Sequence, residues 1–129
     1  MIKKSILIIA IMQWIVFADP QVVAEFDAPT TNVTGLAIGK VSGEQVLWAV
    51  SYDSKKIYSL DPDNGTENSS FNYTTTFPSG PDYYFVGGLA FAGDTIFLPV
   101  WEDEQAPYFG IYTYRPDGTV IERVWNVIC

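Results

Sequence analysis

Gly35-Leu36-Ala37-Ile38 returns as Gly88-Leu89-Ala90-Phe91, 53 positions later. Leu47-Trp48 returns as Ile96-Phe97 at a spacing of 49, and Ile57-Tyr58 as Ile111-Tyr112 at 54. The turns repeat as well: Asp61-Pro62-Asp63-Asn64-Gly65-Thr66 has its counterpart in Arg115-Pro116-Asp117-Gly118-Thr119. In both, proline presets φ and glycine supplies a position with φ above zero, so each turn ends one strand and starts the next. Self-similarity at this period describes copies of one small unit, which cannot cover its apolar faces alone and must stack.

The unit is β. Past residue 18 no long stretch carries a 3.6-residue apolar period, and short β-branched and aromatic runs are punctuated by Gly, Pro, Asn and Asp. The runs Gln45–Ser51 and Thr95–Trp101 are nearly continuously apolar, as inner strands covered on both faces are. The first unit, about residues 30–77, is expected to hold strands at Thr34–Ile38, Gln45–Ser51, Lys56–Leu60 and Ser70–Thr76. The second, about residues 83–127, should hold Val86–Ala92, Thr95–Trp101, Phe109–Tyr114 and Val120–Val127. An extra strand is expected at Val22–Phe26, because Val23-Ala24-Glu25-Phe26 parallels Ile121-Glu122-Arg123-Val124. The fold class is therefore all-β: two four-stranded antiparallel repeats plus an N-terminal strand, with a two-sheet sandwich as the rival arrangement.

Met1-Ile2-Lys3-Lys4-Ser5 is cationic and runs into the apolar stretch Ile6 to Phe17, ahead of Ala18 and the polar Asp19-Pro20. That stretch is shorter than the roughly 20 residues a membrane span needs, and it reads as a secretory signal peptide cleaved after Ala18. The expected product is secreted, extracellular or periplasmic. Cleavage would remove two of 7 basic side chains and none of 15 acidic ones, taking the formal charge from −8 to −10. Such a surface repels phosphate, so neither nucleic acid nor anionic lipid is an expected partner. Cys129 is the single cysteine, which leaves no internal disulfide; its thiol pairs between chains, or the sequence stops short of its partner. There is no histidine, so His-dependent triads and His-ligated zinc are excluded.

At the repeated residues the chain resembles the secreted six-bladed β-propellers of the NHL, streptogramin-lyase-like and SMP-30 gluconolactonase-like type. Their blades read G-L-A, then L-W-V, then I-Y-x-L-D-P and a turn glycine. Here Gly35-Leu36-Ala37, Leu47-Trp48-Ala49-Val50, Ile57-Tyr58-Ser59-Leu60-Asp61-Pro62 and Gly65 carry that pattern, and Gly88-Leu89-Ala90 through Gly118 carry it again. The resemblance implies propeller blades in an incomplete ring, since propellers close with about four to eight. It carries over no activity: the lyases of this type use a histidine, and the lactonases' metal-binding Glu, Asn and Asp have no match here. Two readings of the incomplete ring stand open, a fragment of a longer propeller and self-assembly of copies into a homo-oligomer.

The candidate ligand-binding residues are Trp101, Glu102 and Asp103 in the longer connection of the second unit, with Asp53 from the first. Adjacent carboxylates suit Ca²⁺, which takes oxygen ligands, and equally suit a solvated loop. Asn32, Asn64, Asn68 and Asn72 each open an Asn-x-Ser/Thr triplet and are glycosylation acceptors where the host has the machinery. The Asn64–Thr76 region is expected to be an exposed turn and edge strand. The expected function is an exported propeller-type module that binds a protein or a carbohydrate on its loop face. The alternatives are a metal-assisted hydrolase or lactonase with an incomplete site, and a truncated product with no function of its own.

Overall fold

The computed structural model describes residues 21–77, 84–102 and 108–125. The first sheet is an antiparallel meander of β1 (Val33–Val41), β2 (Glu44–Ser51), β3 (Lys56–Leu60) and β4 (Glu67–Asn72), in that spatial order. A 3₁₀ turn at Thr74–Thr76 follows. The second sheet holds β5 (Tyr84–Val86) and β6 (Ala90–Ala92), both on the same side of β7 (Thr95–Glu102), then β8 (Tyr108–Tyr114) and β9 (Val120–Trp125). Among the described residues there is no α-helix, and none long and apolar enough to cross a membrane. The chain is thus all-β, with two blade-like four-stranded antiparallel repeats that do not close on themselves. The residues of the expected signal peptide and Cys129 lie outside the described residues.

The repetition extends to irregularities of register. β1 bulges at Thr34, just ahead of Gly35, and β4 bulges at Asn68, just ahead of Ser69. In the second sheet Gly87-Gly88-Leu89 interrupts the first strand opposite Leu98 and Pro99, and β9 bulges at Ile121. Bulges at equivalent positions bend both sheets alike. The two proline turns also match in their bonds. Gly65 N–H donates to Asp61 O at 2.8 Å and Gly118 N–H to Arg115 O at 2.9 Å. Asn64 Oδ1 accepts from Thr66 N–H and Asp117 Oδ1 from Thr119 N–H. Those bonds from Thr119, aided by Arg115, hold the Asp117 carboxyl below its usual pKa.

Three strand expectations need correcting. Residues 22–26 form no strand. Phe26 nevertheless lies on Gly65 as Phe71 lies on Gly118, so the segment occupies the place that an outer strand takes in the repeat, with no strand among the described residues to bond with. The first outer strand runs over Glu67–Asn72 rather than Ser70–Thr76. Its polar start suits an exposed edge, and Tyr73 leaves the ladder by donating its N–H to Lys55 O at 3.1 Å. Third, the expected Val86–Ala92 strand is split and starts at Tyr84, because Pro99 opposite the gap has no N–H to offer.

The sheets pack face on face, head to tail. The first presents Val46, Trp48, Val50 and Ile57; the second answers with Ile96, Leu98, Val100, Tyr112 and Tyr114. In the repeat, Ile96, Leu98 and Tyr112 correspond to Leu47, Ala49 and Tyr58, which lie on the opposite face of the first sheet. Opposite faces of one repeated unit therefore meet, as in a propeller and unlike a symmetric sandwich. Trp48 stacks on Phe91 with ring centroids 5.6 Å apart, Phe77 meets Tyr112 at 5.0 Å and Phe71 meets Tyr114 at 5.4 Å. Each such aromatic pair contributes roughly 0.5–1.5 kcal/mol beyond its buried area. The glycines of the repeated motif permit the approach: Gly35 rests on the Gly88 backbone and Gly39 on the Phe91 ring.

Candidate functional site

Loops leaving β2 and β7 emerge at the same end of successive sheets, so Tyr52-Asp53 and Trp101-Glu102 are repeat equivalents. The first of these loops is braced. Asp53 carboxylate accepts from Thr31 Oγ1 at 3.0 Å and from Asn32 Nδ2 at 3.1 Å. Ser51 Oγ donates to Thr31 O and accepts from Ser54 N–H, and Tyr58 hydroxyl donates to Ser54 Oγ. Asn32 and Lys55 carry φ of 55° and 58°, so short polar and turn-tolerant chemistry sets this corner. Lys55 Nζ sits 3.4 Å from the Tyr52 ring centroid, a half-buried cation–π contact.

Below the corner Tyr73 is fully buried, and its hydroxyl donates to Ser51 O at 3.2 Å. Burial raises its pKa well above the ordinary phenol value, with Tyr52 and Tyr114 adding to the shift. Thr34 Oγ1 donates to Val86 O at 3.2 Å and ties the two sheets together near the same end.

In the second sheet Trp101 is 52 % exposed and borders an open depression of about 430 Å³ with Val86, Gly87, Gly88, Pro99 and Phe109. The lining is apolar and does not include Asp53. Glu102 ends β7, and Asp103 lies outside the described residues. The structure therefore places Asp53 with Thr31 and Asn32, which the sequence reading had not grouped, and places Trp101 with an apolar face. Thr31 and Asn32 fall 22 and 21 residues before Asp53, and no spacing rule flags that pairing. Among the described residues no three carboxylate, histidine or cysteine groups converge on a point that could hold a metal ion.

The four glycosylation candidates Asn32, Asn64, Asn68 and Asn72 are all exposed. Asn68 lies at the bulge of the edge strand β4, while Asn72 Oδ1 accepts from Thr74 N–H and Thr74 Oγ1.

Comparison of the chain with protein-family models, with curated proteins and with solved structures returns no match. Its class rests on its own geometry, a stack of two blade-like antiparallel sheets with Tyr52 and Trp101 at the same end of each.

Proposed function

We propose that this chain is an exported, non-enzymatic module of the β-propeller type, akin to the NHL, streptogramin-lyase-like and SMP-30-like blades, that binds a carbohydrate or protein ligand at its loop end. The observation that carries the reading is Trp101: a large aromatic ring half open to solvent beside an apolar depression, at the end of its sheet equivalent to the braced Asp53 corner of the first. An exposed indole offers a flat face for the C–H side of a sugar ring or an apolar side chain, and the fixed carboxylate at Asp53 offers an acceptor for hydroxyl or ammonium groups. A rigid scaffold with polar corners at one end is the usual arrangement for recognition through loops.

A metal-assisted hydrolase has less support, since both Asp53 oxygens already accept hydrogen bonds from Thr31 and Asn32. The test is glycan-array and pull-down binding by the purified chain, followed by Trp101→Ala. Binding that falls about tenfold or more, with an unchanged circular-dichroism spectrum, is expected. Binding indifferent to Trp101→Ala, or hydrolysis that depends on added Ca²⁺ or Zn²⁺, would sink it.

A further inference from the structure

The contact joining the two sheets leaves one half of itself unused at each end of the molecule. Leu89 and Phe91 of the second sheet pack into the core against the first, where Gly35 and Gly39 make room. Their repeat equivalents in the first sheet, Leu36 and Ile38, are 61 % and 59 % exposed on the far face. The equivalents of Gly35 and Gly39 in the second sheet, Gly88 and Ala92, are uncovered in turn. Among the described residues a β-carbon on Gly88 would meet nothing nearer than Pro99 Cγ at 3.8 Å. Beside Gly88 lie Pro99 and Trp101, the counterparts of Val50 and Tyr52 on the covered side of the first sheet, and Phe109, which stands where Lys55 does in the first repeat. Val124, 45 % exposed, pairs with Ile111 as Phe71 pairs with Ile57.

We propose that a second copy of this chain docks head to tail on the first, Leu36 and Ile38 of one entering the Gly88–Trp101 face of the other by the contact already made within each chain. The occupant follows from continuity: each free face carries the residues that complement the other, and the receiving depression beside Gly88 is uncharged. Such an interface is heterologous, so it closes into a ring or propagates. With two sheets per chain, rings of four to eight sheets correspond to a dimer, trimer or tetramer. The docked copy's Val124 takes the place on Gly65 that Phe26 holds, so residues 21–28 must move aside. Trp101 then sits as Tyr52 does, partly covered at the seam with an edge on the loop end. The docked copy covers the depression on which the ligand reading rests, leaving a ligand only the Trp101 edge and the loop end, so mass is measured without ligand and ligand binding on the monomeric Leu36→Glu variant.

The test is the solution mass of the full chain, expressed in an exporting host and purified, over a wide concentration range. Wild type is expected as a closed oligomer or a ladder of oligomers, shifted to larger mass by Phe26→Ser, which empties the Gly65 position. Leu36→Glu spoils one face and Gly88→Leu blocks the other; Leu36 is exposed and Gly88 has room for a side chain, so both variants should keep the wild-type spectrum and a cooperative melt, at a lower temperature only by the stabilisation that assembly gives the wild type. Each alone is expected to be a monomer, and their mixture a one-to-one heterodimer through the single intact pair of faces. The proposal is overturned by monomeric wild type together with monomeric Phe26→Ser, by aggregation or oligomers indifferent to Leu36→Glu and Gly88→Leu, or by either variant self-associating as the wild type does.

Discussion

A β-carbon on Gly35 would lie 2.7 Å from the carbonyl carbon of Gly88. Both residues open the repeated Gly-Leu-Ala motif, yet they stand in opposite situations: Gly35 faces backbone, while Gly88 faces open space. Gly35→Ala is therefore expected to push the sheets apart and cost about 1–3 kcal/mol, as overpacking does. In the monomeric Leu36→Glu background Gly88→Ala should be near neutral or slightly stabilising, because φ there is not positive and the added methyl stiffens the unfolded chain. Urea denaturation midpoints of the two variants check the contrast; equal losses would mean that the glycines serve local strand geometry instead.

Among the described residues Trp48 is the largest fully buried side chain at the contact between the sheets, and its indole N–H finds no hydrogen-bond partner among them. Its contribution is then apolar, through area and the stack on Phe91. Trp48→Ala should cost about 3–5 kcal/mol. Trp48→Phe should cost clearly less, since it keeps a ring over Phe91 and removes a buried N–H left unpaired. Thermal and urea melts of both variants measure the difference, and a Phe variant as damaged as the Ala variant would show that the indole shape itself is required.

The Tyr73 phenol is harder to ionise folded than unfolded, because burial penalises the phenolate. The sign follows from linkage: the folded state is favoured fully below the unfolded pKa of about 10, and that contribution declines as pH rises beyond it. Wild type should lose stability through the alkaline range more steeply than Tyr73→Phe. At neutral pH the Phe variant should be weaker by about 1 kcal/mol, having lost the hydroxyl's bond to Ser51 O. Urea midpoints measured from neutral to strongly alkaline pH would show parallel curves if Tyr73 did not matter.

Asp53 holds residues 31 and 32 by two side-chain bonds from an exposed position. Asp53→Ala should cost no more than about 1 kcal/mol globally, because these groups are wet. Its larger effect is expected on amide exchange in residues 30–34, which should speed up while β2 and β3 stay protected. Unaltered exchange there would mean that Ser51 Oγ, through Thr31 O, braces the corner by itself.

Much of the fold could be read from the chain because a repeat states its own alignment. Gly35 and Gly88, the two proline turns and the alternation along β3 and β8 located both sheets before any contact was known. The strand boundaries that escaped were those set by partners. Glu67 to Ser69 lack apolar character because an edge strand needs one bonded neighbour and no covered face. Val22 to Phe26 have β character and still form no strand, since none of the described strands lies beside them to pair with. The site was only half legible: Trp101 and Asp53 were named from loop position, but Thr31 and Asn32 come to Asp53 through a bend of the chain rather than a spacing.

The amino-acid sequence by itself determined the unit, its antiparallel order, its turns and the fact of two copies, because those rest on side-chain alternation and local φ. Only the tertiary structure decided which face of one copy meets which face of the other. Every strand residue points to one of two sides, and the apolar pattern is satisfied by covering either. The close seat of Gly35 on Gly88, and of Phe91 on Gly39, breaks that tie, and with it leaves Leu36, Ile38 and Trp101 facing outward.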